Sequence, residues 1–402
     1  MCVFLRYKGL VLLRYKGRDR VPFSFRDVLS QPVPIHLEFR RFISPLWAAV
    51  VPNFQERAIR LGKRPVCADH GVLPSPQPFR IQVLSVRETT PSTICERLVR
   101  SAALPYPSDL STWYSSTDSG ALYVPTGNPG PDFSSAYRPG ANLYTGSIVV
   151  LDAKKGSLRT WYQLVPHDIH DWDQAAAPAL ITTKAGQRRA MAGGKDGFLH
   201  AIDITAGKVA WKTPVTTIEN ADAPLTSEGT HFCPGAGGGV LWNGPAYSPA
   251  TNLVYVNSMD WCTTLKLDPR LPEFEEGKTF LGSANGFGDS DADKFGWVTA
   301  VDADTGVVRW RNRMTTPMVA GIAVSASGLV MTADLNGDFL AYDAASGKLL
   351  HRVATGQPGG GGVITYQTGG KQKVAMAAGL EDRIIGSHGK AAVIVLGLQD
   401  GK

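Results

Sequence analysis

The stretch "AVDADTGVVRW", Ala300–Trp310, decides how this chain is built, because its frame recurs. "AIDITAGKVAW" runs from Ala201 to Trp211 and "AYDAASGKLLH" from Ala341 to His351. "VVLDAKKGSLRT", ending at Thr160, is a degraded copy whose Trp161 comes one place late. Each copy is a strand, an Asp, a Gly four residues on, and a second strand with an aromatic or His eight residues after the Asp. An Asp caps a turn through its carboxylate and a Gly supplies the left-handed residue, so each copy reads as a β-hairpin. Further hairpins precede them: "GKDGFLHAID" from Gly194 matches "LNGDFLAYD" from Leu335, and "SGALYVPTG" from Ser119 resembles "TNLVYVNSM" from Thr251.

The Asp-to-Asp spacings are 51, 99 and 41 residues. A four-stranded propeller blade takes about 40–45 residues, so the last spacing suits one blade and the 99 suits two with an inserted loop. Strong helical periodicity is missing, and glycine turns come at the short intervals of an all-β array. A single blade is too thin to bury both faces and must stack on neighbours, which makes a β-propeller the expected fold over a β-sandwich. At about 45 residues per blade, the region from residue 118 onward holds five or six blades at most, a partial propeller.

Composition divides the 402 residues in two. From Met1 to Thr117 there are 17 Lys+Arg against 8 Asp+Glu, and from Asp118 onward 24 against 27. Only 4 of the 43 glycines lie in the first segment. Residues 1–117 therefore read as a basic, irregular segment and residues 118–402 as the propeller repeats. The dispersed charge, without interleaved aromatics, argues against nucleic-acid binding. No apolar run is long enough to span a membrane, and Lys8, Arg14 and Lys16 interrupt the first apolar stretch before any secretory-type cleavage site. Of five cysteines, Cys233 and Cys262 lie in the glycine-rich part. Spacing alone leaves them as a disulfide of an exported protein or as two buried thiols.

The chemistry concentrates in "LVPHDIHDWDQ", Leu164–Gln174, which sets two histidines and three aspartates within seven positions. A His-x-x-His zinc pair at His167 and His170 is one reading, but no third ligand pattern accompanies it.

The hairpin copies and the blocks between them resemble the PQQ-dependent alcohol dehydrogenases, the methanol-dehydrogenase-like quinoproteins. "YVPTGNPGPDF" from Tyr123, "RPGANLYTGSIVVLDA" from Arg138, "VPHDIHDWD" from Val165, "GGKDGFLHAID" from Gly193, "FCPGAGGGVLWNGPAYSP" from Phe232 and "ATGQPGGGGVITY" from Ala354 follow in that family's order. The resemblance covers only the C-terminal part. It implies oxidation of an alcohol to the aldehyde, with hydride passing to C5 of pyrroloquinoline quinone (PQQ) and Ca²⁺ acting as Lewis acid. By the same resemblance Asn128 and Asp171 are metal ligands, Asp171 is also the base that takes the hydroxyl proton, and Lys195 contacts the reactive quinone oxygen. His167 and Asp168 shape and cap the loop, with Trp172 and Asp173 as wall and turn. Trp242 and Asn243 are cofactor-binding candidates beside Leu241, where relatives place an amide. Lanthanide-using relatives are expected to carry an extra carboxylate at the position of Ile169, which leaves calcium as the expected ion. Cys233 and Cys262 match a family disulfide. Gly359 to Gly362 lets backbone approach either a cofactor or the next strand.

Other family site residues belong upstream of Asp118: a vicinal cysteine pair, a tryptophan under the quinone and a glutamate ligand. No adjacent cysteines stand there, Trp113 is out of register with the tryptophan, and no Glu sits in a matching motif. A truncated or mis-joined gene product accounts for both that loss and the composition break. Two main readings follow: a working enzyme passing electrons to a cytochrome c or quinone in the periplasm, or a catalytically impaired propeller fragment acting at most as a binding scaffold. A propeller that binds a protein partner without any cofactor is a third.

Overall fold

Trp211 and Trp310 show what the repeat is for. In the computed structural model, which describes residues 79–84, 114–116, 120–270, 273–274 and 279–398, each indole lies against the glycine turn of the following hairpin copy. A methyl group on Gly306 would sit 2.7 Å from Trp211 Cδ2, and one on Gly347 would sit 2.5 Å from Trp310 Cδ2. Thr213 Oγ1 donates to Gly306 O (2.6 Å) and Asn312 Nδ2 to Gly347 O (2.7 Å), so each contact carries a hydrogen bond beside the stacked ring. Trp310 Nε1 adds a bond to Ala344 O at 3.0 Å.

These two contacts join three of the five four-stranded antiparallel sheets that the described residues form. Blade 1 comprises Tyr114–Ser116, Ala121–Pro125, Ser147–Asp152 and Leu158–Gln163. Blade 2 comprises Ala179–Thr182, Arg188–Gly193, Phe198–Asp203 and Lys208–Pro214. Blade 3 is Ala246–Ser248, Leu253–Asp260, Phe295–Asp302 and Val308–Met314; blade 4 is Ala323–Val324, Leu329–Ala333, Asp338–Asp343 and Leu349–Ala354. Blade 5 takes Gly359–Thr368, Lys371–Ala378 and Ala392–Leu398, and its fourth strand is Phe79–Leu84, antiparallel to the last. There is no helix among the described residues, and so none long and apolar enough to cross a membrane. The chain is all-β, a partial propeller of stacked blades. Two of its strands, Phe79–Leu84 and Tyr114–Ser116, come from before Asp118, so the change in composition at residue 117 does not coincide with the first blade strand.

The hairpin turns follow the sequence frame closely. Asp152, Asp203, Asp302 and Asp343 each accept backbone N–H groups two or three residues on, and each Gly four residues on has φ between +67° and +76°. The register shifts by one residue just before each Asp: at Val150/Leu151, Ala201/Ile202, Ala300/Val301 and Ala341/Tyr342. This repeated bulge turns the second strand so that the residue eight after the Asp faces the next blade. Trp211 and Trp310 occupy that place, opposite Ala201 and Ala300. In blade 1 the place is held by Thr160, opposite Val150. The one-residue delay sends Trp161 to the other face, where it is 40% exposed and meets Tyr144 edge-on at 5.0 Å. Nothing then lies within 4 Å of where a methyl on Gly207 would be.

Middle strands are buried on both faces, Leu253–Asp260 throughout, while fourth strands such as Lys208–Pro214 are largely exposed. The apolar clusters lie between consecutive blades. One joins Tyr255, Val298 and Ala300 of blade 3 to Val330, Leu340 and Tyr342 of blade 4.

The docking contacts give a paired expectation. Gly207→Ala puts a side chain into left-handed backbone and costs about 1–2 kcal/mol. Gly347→Ala adds overlap with Trp310, a further 1–3 kcal/mol or so. Urea unfolding of both variants checks it; equal losses would show that the indole contact is slack.

Candidate functional site

The loop between blades 1 and 2 is built around the buried Asp168. Its Oδ1 accepts the N–H of His170 (3.0 Å) and its Oδ2 the N–H of Trp172 (2.9 Å). That double anchor wraps the backbone into a tight bend, with His167 at φ +51° and Asp171 at +64°. Burial pushes the Asp168 acid up to about 6, against the lowering pull of those two N–H donors. His170 stacks on Trp172 with ring centres 4.2 Å apart and meets Phe232 edge-on at 4.7 Å. Burial pulls the His170 pKa down to about 4, so the ring is neutral at pH 7. Trp172 Nε1 donates to Pro234 O at 3.1 Å. The bend is thereby fastened next to Cys233, which forms a disulfide with Cys262. His167 instead turns its Nδ1 to Gly140 O at 2.6 Å. The two histidines do not make a zinc pair.

The bend delivers Asp171 and Asp173 to one side chain. Lys195, in the hairpin turn of blade 2, lies 2.6 Å from Asp171 Oδ2 and 3.2 Å from Asp173 Oδ2. Its backbone N–H donates to Asp173 O, and Asp173 Oδ1 accepts the N–H of Asn128 at 2.8 Å. Asn128, Asp171 and Lys195, singled out in the sequence as one constellation, are thus brought together from the edges of two successive blades. Backbone supports the lysine closely: a methyl on Gly239 would lie 2.4 Å from Lys195 O.

The electrostatics of this cluster are lopsided. Burial alone would depress the Lys195 ammonium, but Asp171 and Asp173 outweigh it and hold the pKa above the ordinary lysine range. Burial raises Asp171 to about 7 despite Lys195, with Asp173 and Asp132 adding to the rise. Asp132 is raised as well, by burial first. Three carboxylates and one ammonium leave a surplus of negative charge in a poorly solvated place. A hard cation is what relieves such a surplus, and carboxylates with an amide oxygen are its preferred donors. The residues present therefore fit a bound hard metal ion.

Trp242 and Asn243 are placed differently from the other three. Trp242 Nε1 donates to Gly360 O in blade 5 (2.9 Å). Asn243, 1% exposed, donates to Asn257 O (2.9 Å) and Met318 O (3.3 Å). Both tie blades together, and Leu241 joins an apolar cluster with Met259 and Trp261. The glycine run lies against protein: methyls on Gly359, Gly360 and Gly361 would meet Ala333, Leu380 and Ala377. Ile169 packs in the apolar cluster of Phe133 and Trp172, so position 169 does not set the charge of the site. Asp173 does, and it was read in the sequence only as a turn. The clustering of Asp171 and Asp173 in one short loop was the available signal. Asp132 carried no comparable mark. Cys2, Cys67, Cys95 and Trp113 lie outside the described residues.

Comparison with known proteins agrees with this layout. Residues 111–222 match a PQQ family model described as the glucose/ethanol/alcohol dehydrogenase β-propeller domain, and residues 294–379 match one described as outer membrane protein assembly factor BamB. The quinoprotein alcohol dehydrogenase PedH of Pseudomonas putida is 26% identical over 292 residues, 66% of this chain and 48% of that protein. A quinohemoprotein alcohol dehydrogenase of Comamonas testosteroni is 29% identical over 287 residues, 64% of this chain and 40% of that one. The crystal structure of the quinohemoprotein alcohol dehydrogenase from Comamonas testosteroni superposes with a TM-score of 0.62 at 25% identity, over 71% of this chain and 47% of its own. Over its C-terminal part the chain is a PQQ-type β-propeller homologous to the quinoprotein alcohol dehydrogenases. It spans about half the length of the curated relatives it matches.

The neutral His170 gives a pH expectation. Its folded pKa lies below the unfolded value of about 6.5, so the stability tied to the neutral ring is present above pH 6.5 or so and is lost as pH falls toward 4. Against His170→Phe, wild type should lose up to about 1.4 kcal/mol per pH unit across that window. Parallel stability curves for the two proteins would contradict the buried neutral ring.

Proposed function

We propose that this propeller serves PQQ-dependent oxidation of a small alcohol to its aldehyde. The carrying observation is that Lys195 meets both Asp171 and Asp173, while Asp173 accepts the backbone N–H of Asn128. When bound, the quinone supplies the hydride acceptor at C5 and the metal ion supplies the Lewis acid. Asn128, through its amide oxygen, and Asp171 would hold the ion. Asp171 also takes the proton of the substrate hydroxyl on a carboxylate oxygen as hydride leaves the carbon. Lys195 keeps its charge beside two carboxylates and stabilises negative charge on an oxygen placed against it. Trp242 and Asn243 would meet the cofactor from the blade 3 side. A cytochrome c or quinone acceptor and a periplasmic location complete the reading by resemblance.

The competing reading, a catalytically impaired propeller acting at most as a binding scaffold, draws on the unmatched cysteine-pair, tryptophan and glutamate motifs upstream of Asp118. Dye-linked oxidation of short alcohols by protein supplied with PQQ and Ca²⁺ separates the two. In the active case, Asp171→Asn removes the base at a position whose left-handed backbone Asn tolerates. Turnover then falls by about 10²–10⁴, with quinone absorbance retained in the purified protein. Undiminished turnover would take the proton-accepting role away from Asp171.

Asp173 bears on the metal. A donor set with this many carboxylates favours a trivalent ion over Ca²⁺, so Tb³⁺ should displace Ca²⁺ at equal concentration. Luminescence of Tb³⁺ sensitised through Trp172 reads that out, and Ca²⁺ prevailing would leave the site a calcium site.

A further inference from the structure

A second cluster of chemically able side chains gathers where the short strand Thr230–Phe232 ends. That strand pairs antiparallel with Thr263–Leu265, and one step beyond the last pair Cys233 stands opposite Cys262, their Cα atoms 4.5 Å apart. On its other side Cys233 bridges Glu219. Alternate residues of a strand point to one side, and directly opposed residues share that side, so His231, Cys233, Cys262 and Glu219 face the same way. The contacts agree. One ring nitrogen of His231 and the two sulfurs lie within 4.8 Å of one another. His231 Nδ1 is 3.9 Å from Glu219 Oε1, and its Nε2 is 3.1 Å from Asp291 Oδ2. Asp291 is held at this place by its backbone N–H, which donates to Cys262 O at 3.1 Å.

We propose that Cys233, Cys262, His231 and Asp291 form a binding site for a zinc-class ion, which becomes available when the disulfide is reduced by a dithiol. A thiolate of the dithiol attacks the sulfur of Cys262, the less buried of the pair, and Cys233 leaves as the thiolate. The second thiol of the reductant then displaces Cys262 and closes its own disulfide. The chain gains two electrons and the reductant loses two, while the two protons of the dithiol pass to the freed cysteines and leave for solvent when metal binds. Two thiolates and an imidazole select Zn²⁺ over Ca²⁺, the opposite choice from the carboxylates and amide around Lys195. Zinc bonds of about 2.0–2.3 Å set tetrahedral ligand atoms roughly 3.3–3.8 Å apart, so these donors need only small side-chain rotations. Asp291 is the nearer carboxylate and the fourth donor. Glu219 sits at the other ring nitrogen, where a carboxylate orients a zinc-bound histidine. His231, Asp291 and Glu219 are each partly exposed, which gives the ion a way in. The bound ion ties together the same two positions, 29 residues apart, that the disulfide joins. No residue of the Lys195 cluster takes part, so the site stands or falls independently of the alcohol-oxidising role.

The test uses the full chain, reduced with dithiothreitol, freed of it by gel filtration under nitrogen, and titrated with Co²⁺ as a spectroscopic stand-in for Zn²⁺. The reduced chain should show a thiolate-to-metal band in the near ultraviolet and the intense visible bands of tetrahedral Co²⁺. Zn²⁺ should abolish both, and the oxidised chain should show neither. Iodoacetamide followed by peptide mass spectrometry assigns the sulfurs: Zn²⁺ should protect Cys233 and Cys262 from alkylation, which sets them apart from Cys2, Cys67 and Cys95. His231→Ala keeps both thiols and should weaken Zn²⁺ binding by about tenfold or more. If that variant does not fold, Asp291→Ala takes its place under the same criterion. Loss of the native circular dichroism spectrum on reduction, absent Co²⁺ bands, equal alkylation with and without Zn²⁺, or undiminished affinity in the folded variant each overturns the proposal.

Discussion

An indole laid on a glycine turn is the contact from which the rest of this molecule follows. A four-stranded blade has two apolar faces and no core of its own, so its stability comes from what it stacks against. The Trp211–Gly306 and Trp310–Gly347 contacts fix that stacking at the outer edge and leave the middle strands to pack by ordinary apolar burial. Glycine is required twice over at these turns, once for its left-handed backbone and again because any side chain would occupy the ring's place. Where the contact lapses, in blade 1, the structure changes locally and Trp161 turns outward to Tyr144.

Fixed stacking is also what makes a charged cluster tenable between blades. Lys195 and Asp171 are each less than a tenth exposed, and a buried ion pair is stable only if held in good geometry. The bend around Asp168, the His170–Trp172–Phe232 stack and the Cys233–Cys262 bond provide that rigidity. The surplus of carboxylates over ammonium is tolerable within such a frame and gives the place its affinity for a hard cation.

Much of the fold was readable residue by residue. Asp and Gly four apart specify the turn, and the residue eight after the Asp specifies the docking place, both through local backbone geometry. The blade count was legible within one for the same reason. The site was legible in part. Asn128, Asp171 and Lys195 carry their motifs on their faces, whereas Asp132 does not. Trp242 and Asn243 stood in a suggestive block, yet their polar atoms bond across to Gly360, Asn257 and Met318. The fourth strand of blade 5 was hidden because Phe79–Leu84 pairs with a strand more than 300 residues away.

By itself the sequence determined the local alphabet: which segments become hairpins, where each turns, and which few side chains can carry charge chemistry. Only the tertiary structure decided which of them meet. Asp173 changed from a turn residue into a partner of Lys195, and Ile169 came to pack against an apolar cluster. The reason is physical. Turn geometry is set within a few residues of backbone, but burial and charge balance are sums over neighbours that arrive from other blades.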